Sequence, residues 1–299
     1  MRILIQKRCP PLLALALVCA LMVQTGCKQD SHGSPRGYDF RKREKRDLGK
    51  VLNEISGLYF NTDSNTLLAI SDSKRKIFEI NMQTRKLKDY AEKFSPQADF
   101  EDLVKIGDTV YVLISDGTIL AVPRHAKDTT ATRHYPFLSE DNNDFETLYH
   151  DPEANSLIIL CKSCEADKGK KVRNAFRFDL ATRSFDSAAY YTISTDNVKA
   201  AVKSDEANFK PSAAAIHPIE KRLYILASAG QLLVITDTKG NVEEVFQMNP
   251  DRNPQAEGIA FSPNGTMFIS NEGKYGKATL QAFSYNNPQT SRQKPQRKP

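Results

Sequence analysis

The chain lacks the spacings that mark the common hydrolases. No Gly-x-Ser-x-Gly run occurs. The five histidines, His32, His125, His134, His150 and His217, stand singly, with no Ser-His-Asp arrangement around them. Basic residues gather at 41–46 and 292–298 without interleaved aromatics, which argues against nucleic acid as a partner. Apolar runs long enough to span a bilayer, about 20 residues, are missing as well. Cysteine is scarce. Cys161-Lys162-Ser163-Cys164 follows a strand instead of opening a helix, so it does not fit a thioredoxin-type redox motif. Zinc would need two further ligands nearby.

What is present starts at the N-terminus. Arg2, Lys7 and Arg8 precede an apolar run over residues 11–23, and Thr25-Gly26-Cys27 ends it with small residues. This pattern predicts a secretory signal over residues 1–27. The residues before Cys27 resemble a bacterial lipobox, in which the cysteine is lipidated, although Gln24 stands where an aliphatic residue is usual. The expectation is an exported protein, lipid-anchored through Cys27 in the outer membrane and facing the periplasm or the outside. Lys28-Gln29-Asp30 is compatible with that sorting. Cleavage removes three of the +6 formal charges and leaves an ordinary +3. It also removes Cys9 and Cys19, so Cys161 and Cys164 are expected to pair in an oxidising compartment. Residues 28–37 read as a polar tether, 38–285 as the folded domain and 286–299 as a disordered basic tail, in a monomer.

One phrase recurs through the folded part. Glu54-Ile55-Ser56-Gly57-Leu58, Asp99-Phe100-Glu101-Asp102-Leu103, Asp144-Phe145-Glu146-Thr147-Leu148, Pro211-Ser212-Ala213-Ala214-Ala215 and Ala256-Glu257-Gly258-Ile259 align on their apolar residues. Ser56, Glu101, Glu146, Ser212 and Glu257 then share one column, at spacings of 45, 45, 66 and 45 residues. Self-similarity at this period marks a propeller or array. Each unit divides into four β-rich runs separated by turn signals, clearest at 213–216, 222–227, 231–236 and 242–247. The fold class is therefore all-β, a five-bladed propeller. The last unit is one strand short, and residues 41–48 stand in the matching fourth-strand position, so the N-terminal strand closes the ring. The surplus of unit three is expected in a loop over 161–173 and a short helix within 195–209. Phe60, Phe178, Phe261 and Phe283 fall on apolar strand positions and are assigned to blade packing.

These residues resemble the SdiA-regulated domain family. The likeness is carried by Glu54-Ile55-Ser56-Gly57-Leu58, by the run at 211–218, and by Glu257-Gly258-Ile259 with Ser270-Asn271-Glu272. It implies a five-bladed propeller, distantly related to NHL-repeat propellers, with a calcium ion in a family site. No secure activity comes with it.

Meander topology places the start of strand one and the end of strand two at the same rim. The column Ser56, Glu101, Glu146, Ser212, Glu257 should circle one mouth of the central channel, joined by Asp72, Asp116, Cys161, Ser228, Asn271 and Glu272. Three carboxylates in one ring favour a hard cation, Ca²⁺ over Zn²⁺. Glu257, Glu146 and Glu101 are the candidate ligands, with Ser56, Ser212, Asp116 and Glu272 as rim contributors. The bland alternative is that these carboxylates only bind backbone amides. His150 and His217 belong to the opposite face, and His125 and His134 to the loop region after blade two's third strand. The reading that follows is a calcium-binding scaffold or binding module at the cell envelope. The alternative is a metal-dependent hydrolase or lactonase of propeller type, and a redox role for the cysteines is the weakest.

Overall fold

A computed structural model describes residues 33–287, apart from 85, 93–97, 125–128, 140 and 275. The predicted signal peptide, with Cys27, His32 and His125, lies outside the described residues, as does the tail from 288 onward. Among the described residues, no helix is long and apolar enough to cross a membrane.

Five small antiparallel sheets form the five blades. Their inner strands are Ile55–Asn61, Phe100–Ile106, Asn143–Asp151, Ala213–Ile216 and Ala256–Phe261. These touch one another in cyclic order and surround the axis. The second strands are the most buried: Thr66–Ser71 and Leu223–Ala227 are buried at every residue. This is why they read as continuous apolar runs. Five separate apolar clusters fill the five gaps between neighbouring blades. The strand Glu44–Asp47 pairs antiparallel with Thr279–Phe283, Glu44 opposite Ala282, and completes blade five from the N-terminal side. Closure by both termini leaves no blade edge to open first.

The first hairpin of every blade turns through a left-handed residue. These are Asn65 at φ 52°, Gly107 at 56°, Asn155 at 47°, Lys221 at 59° and Gly265 at 85°. Asn and Gly tolerate this region; a lysine there is unusual.

Three details differ from expectation. In blade three the second strand does not stop before Cys161 but runs over Ser156–Cys164. The Cys161–Cys164 disulfide braces its end, so the loop shrinks to the stretch before Val172–Asp179. The outer edge of that blade is split between Ser184–Phe185 and Tyr191–Ser194, both paired with Val172–Asp179. His134 lies in blade two's fourth strand, Arg133–Tyr135, and not in a loop. Residues 34–37, read as tether, pack on the propeller. Ser34 accepts from the Phe40 amide, and the Asn286 amide donates to the Gly37 carbonyl. Tyr38 then anchors the chain through its hydroxyl at 2.8 Å from His217 Nε2. The expected helix is present at Thr195–Val202, with Ser194 as N-cap accepting from the Asn197 amide and Val198 buried beneath it.

Candidate acid mouth of the channel

Inner strands alternate their side chains, so on a regular strand only every second residue faces the axis. Four of the five blades break that rule at the column found in the repeats. The pairing register skips between Ile55 and Leu58, Phe100 and Asp102, Phe145 and Thr147, and Ala256 and Gly258. Ser56, Glu101, Glu146 and Glu257 sit on these β-bulges. A bulge adds a residue and re-aims a side chain without disturbing the apolar pattern further along. Gly57 and Gly258 follow two of them for want of space. A Cβ on Gly57 would meet Asp102 Oδ1 at 2.6 Å, and one on Gly258 would meet Ser270 Oγ at 2.4 Å.

The column meets in a cavity of about 270 Å³ that includes Ser56, Asp72, Glu101, Glu146, Ser212, Gln255, Glu257 and Glu272. It adjoins a wider basin of about 920 Å³ that shares Glu101 and Glu146 and is edged by Lys168, Lys170 and Arg173. The three ring glutamates therefore lie around one mouth, with Ser56, Ser212 and Glu272 beside them. Asp116 does not. It is exposed, and its carboxylate accepts from the Thr118 amide at 2.8 Å to shape a turn. Ser212 acts as a strut between blades four and five, donating to the Ala256 carbonyl at 2.9 Å. Cys161 and Ser228 also line neither cavity. Asn271 is fully buried, with both side-chain amide atoms unpartnered among the described residues.

The sequence did not single out Lys162. It lies between the bridged cysteines, and its ammonium donates to Glu146 Oε1 while standing 3.6 Å from Asp144 Oδ2. Burial opposes its charge, but the bonds to Glu146 and the nearby Asp144 and Glu101 raise its pKa above the ordinary lysine value. The signal was present in the alternation of strand Ser156–Cys164. What was missing was that the strand reaches that far.

One ammonium does not neutralise the mouth. Burial first, then repulsion from Glu146 and Asp99, pushes the Glu101 carboxyl up to about 9. Glu257 rises to about 8, again by burial and then Glu146, although Gln255 bonds to it. Burial also raises Glu146, against the pull of Lys162. Glu272 and Asp72 move up for the same first reason. At neutral pH two of the three ring glutamates are thus held as acids, because their negative charges have too little compensation. Among the described residues, no three acidic, histidine or cysteine side chains converge closely enough to hold a metal ion as placed. The donor chemistry nevertheless fits a hard dication. It is all oxygen, heavily acidic and short of positive charge.

The fold and this mouth define a five-bladed propeller with an acid-lined channel entrance. Residues 34–274 match the SdiA-regulated family, and the chain belongs to it. Among curated proteins, none matches. Similar solved structures include the soluble aldose sugar dehydrogenase of Escherichia coli in its apo-form. That likeness has 12% identity and TM-score 0.50 over 82% of this chain and 100% of that one. A structural genomics protein of unknown function from Bacteroides thetaiotaomicron VPI-5482 shares 11% identity at TM-score 0.48, over 81% and 72%. The calcium-binding protein regucalcin from Agrobacterium tumefaciens str. C58 shares 12% at TM-score 0.46, over 80% and 96%. At such identities the likeness is one of fold.

Proposed function

We propose that this propeller is a calcium-binding module, tethered by a lipid at Cys27 to the outer membrane, that serves as a binding or scaffold protein of the bacterial cell envelope. The anchor rests on the sequence alone, on the charged start, the apolar run and the small residues before Cys27. The cation rests on one observation, that Glu101, Glu146 and Glu257 line one cavity whose carboxyls are raised by burial and mutual repulsion and are answered there by the Lys162 ammonium on Glu146. A bound Ca²⁺ would supply the positive charge this oxygen set lacks, and Glu101, Glu146 and Glu257 would hold it, with Glu272 and Ser56 at hand. Cation binding must then displace protons from Glu101 and Glu257, raised to about 9 and about 8.

Calcium titration by calorimetry in buffers of different ionisation heat tests this. The account expects binding that releases about two protons per calcium at pH 7, one each from Glu101 and Glu257. Binding without proton release, or no binding, contradicts it.

A second reading is favoured by the basin of about 920 Å³ that opens beside the ring, room that a purely structural ion does not need. In a metal-dependent hydrolase or lactonase, the cation would polarise a carbonyl or phosphoryl oxygen. Glu101 or Glu146, on the shared wall, would move the proton. Calcium-dependent turnover of a lactone or phosphoester panel, lost in Glu101→Gln, would establish that reading over the scaffold.

A further inference from the structure

The opposite end of the channel has a chemistry of its own. Leu58, Leu103, Leu148, Ala214 and Ile259, one from each inner strand and each at most 4% exposed, form a buried apolar belt, each in the cluster between its blade and the preceding one. Beyond them lies a cavity of about 330 Å³, within the size range of small-molecule sites. That belt is part of its lining, and it shares no lining residue with the cavity at the acid mouth. Tyr59, Phe60, Ile216 and Phe261 form its walls, and Tyr59, Ile216 and Phe261 are only half-buried. No aspartate or glutamate lines it among the described residues; its charged and ionisable side groups besides the tyrosines are His150 and Lys221. The polarity is thus the reverse of the acid mouth.

Lys221 carries a second, independent mark. It occupies the left-handed turn position that is Asn or Gly in the other four blades, a conformation costly to a lysine. Arg75, Arg183, Lys203 and Gln231 adopt the same region at other turns, so what sets Lys221 apart is its place at the rim of the well. The strain here is not one of turn formation, since asparagine or glycine makes the same turn at Asn65, Gly107, Asn155 and Gly265. The side chain that the strain retains is an exposed ammonium. His150, which lines the same cavity, has its pKa lowered by burial, so near neutral pH it offers a hydrogen bond without adding a second charge.

We infer that this well is a second ligand site, independent of the acid mouth, for an aromatic or short aliphatic monocarboxylate, its apolar body in the well and its carboxylate at Lys221 and His150. The apolar walls supply affinity without direction. The single ammonium supplies orientation and selects anions over neutral analogues.

Calorimetry of the full chain with 2-naphthoate and its neutral isostere 2-naphthamide tests the site. The expected Kd for the acid is about 0.1 mM or tighter, within reach of a ligand of about thirteen non-hydrogen atoms. The amide should bind about tenfold more weakly. Lys221→Gln should erase that difference, Ala215→Phe should fill the well and abolish both, and Glu257→Gln should change neither. The inference is overturned if neither probe saturates below about 1 mM, a weakness no apolar well of this size should show. It is equally overturned if Lys221→Gln leaves the preference for the acid intact. Should Ala215→Phe fail to fold, Lys221→Gln, on an exposed turn, decides alone.

Discussion

The same five strands end in opposite chemistries. At their starts, bulges carry Ser56, Glu101, Glu146 and Glu257 toward the axis, and the carboxyls there are crowded enough to keep their protons. Four residues after the column the strands finish in Phe60, His150, Ile216 and Phe261 around a well that no aspartate or glutamate lines among the described residues. Between them lies the buried apolar belt from Leu58 to Ile259, and the two cavities share no lining residue. The blade frame is therefore neutral toward what each mouth holds. Local backbone irregularity, not the repeat itself, makes the acid end, and strain at one turn marks the other.

Titration should separate the ends, because their signs are opposite. His217, at the end of blade four's inner strand, is fully buried. Its Nδ1 accepts from the Ile219 and Glu220 amides at 3.2 and 3.0 Å. Nε2 must then carry the proton and donate to the Tyr38 hydroxyl, which itself donates to the Gly265 carbonyl at 2.5 Å. The largest effect is expected here. His217→Ala leaves two amides unpaired, takes one partner from the Tyr38 hydroxyl and leaves a cavity behind, at a cost of about 3 kcal/mol. Melting by differential scanning calorimetry should fall by roughly 6–12 °C. In the wild type, burial lowers His217 from 6.5 to about 4. Its contribution to stability is complete above 6.5 and is lost as pH falls toward 4.

Next in size is the cation. Calcium at about one hundred times its Kd should raise the melting point by about 5–10 °C. Glu257→Gln at the same calcium concentration should lose about half of that rise or more. Smaller again is the pH response of the acid end in chelator. Glu101 and Glu257 bind protons more tightly folded than unfolded, so the folded state loses stability as pH rises from the usual carboxylate range through about 8 and about 9. Melting should drop by about 5 °C between pH 6 and 7, and Glu101→Gln should flatten the drop. A parallel response of both ends to pH would break the comparison. Smallest is Asp116→Ala. An exposed turn carboxylate outside the mouth should cost about 1 kcal/mol or less and leave calcium affinity unchanged.

Much of this was legible in residue order. The 45-residue spacing found the ring column, and the vacancy after Thr279–Phe283 found its partner strand near the N-terminus. The helix after Ser194 announced itself by the spacing of its apolar residues, while its Ser194 cap emerged only in the structure. What stayed hidden depended on three-dimensional adjustment. A bulge leaves no composition signal, so rim position could be read but not aim. Lys162 reaches Glu146 only because the strand continues to a bridged Cys164, and a short Cys-Lys-Ser-Cys run reads more naturally as a loop. Asp116 was misplaced because a strand-end aspartate serves a turn as readily as a rim. Phe60 and Phe261 were read as packing, and they do pack: Phe60 stacks on Phe268 with ring centroids 5.8 Å apart. Their other faces wall the well, which periodicity alone does not distinguish.

The central claim is that the acid mouth is a cation site now held by a lysine. Direct calcium titration of the full chain beside Lys162→Met and Glu257→Gln tests it. Removing the internal ammonium should tighten calcium binding about tenfold, and removing the Glu257 charge should weaken it by at least as much. Equal affinity in all three proteins, or no binding in the wild type and in Lys162→Met, would contradict the account.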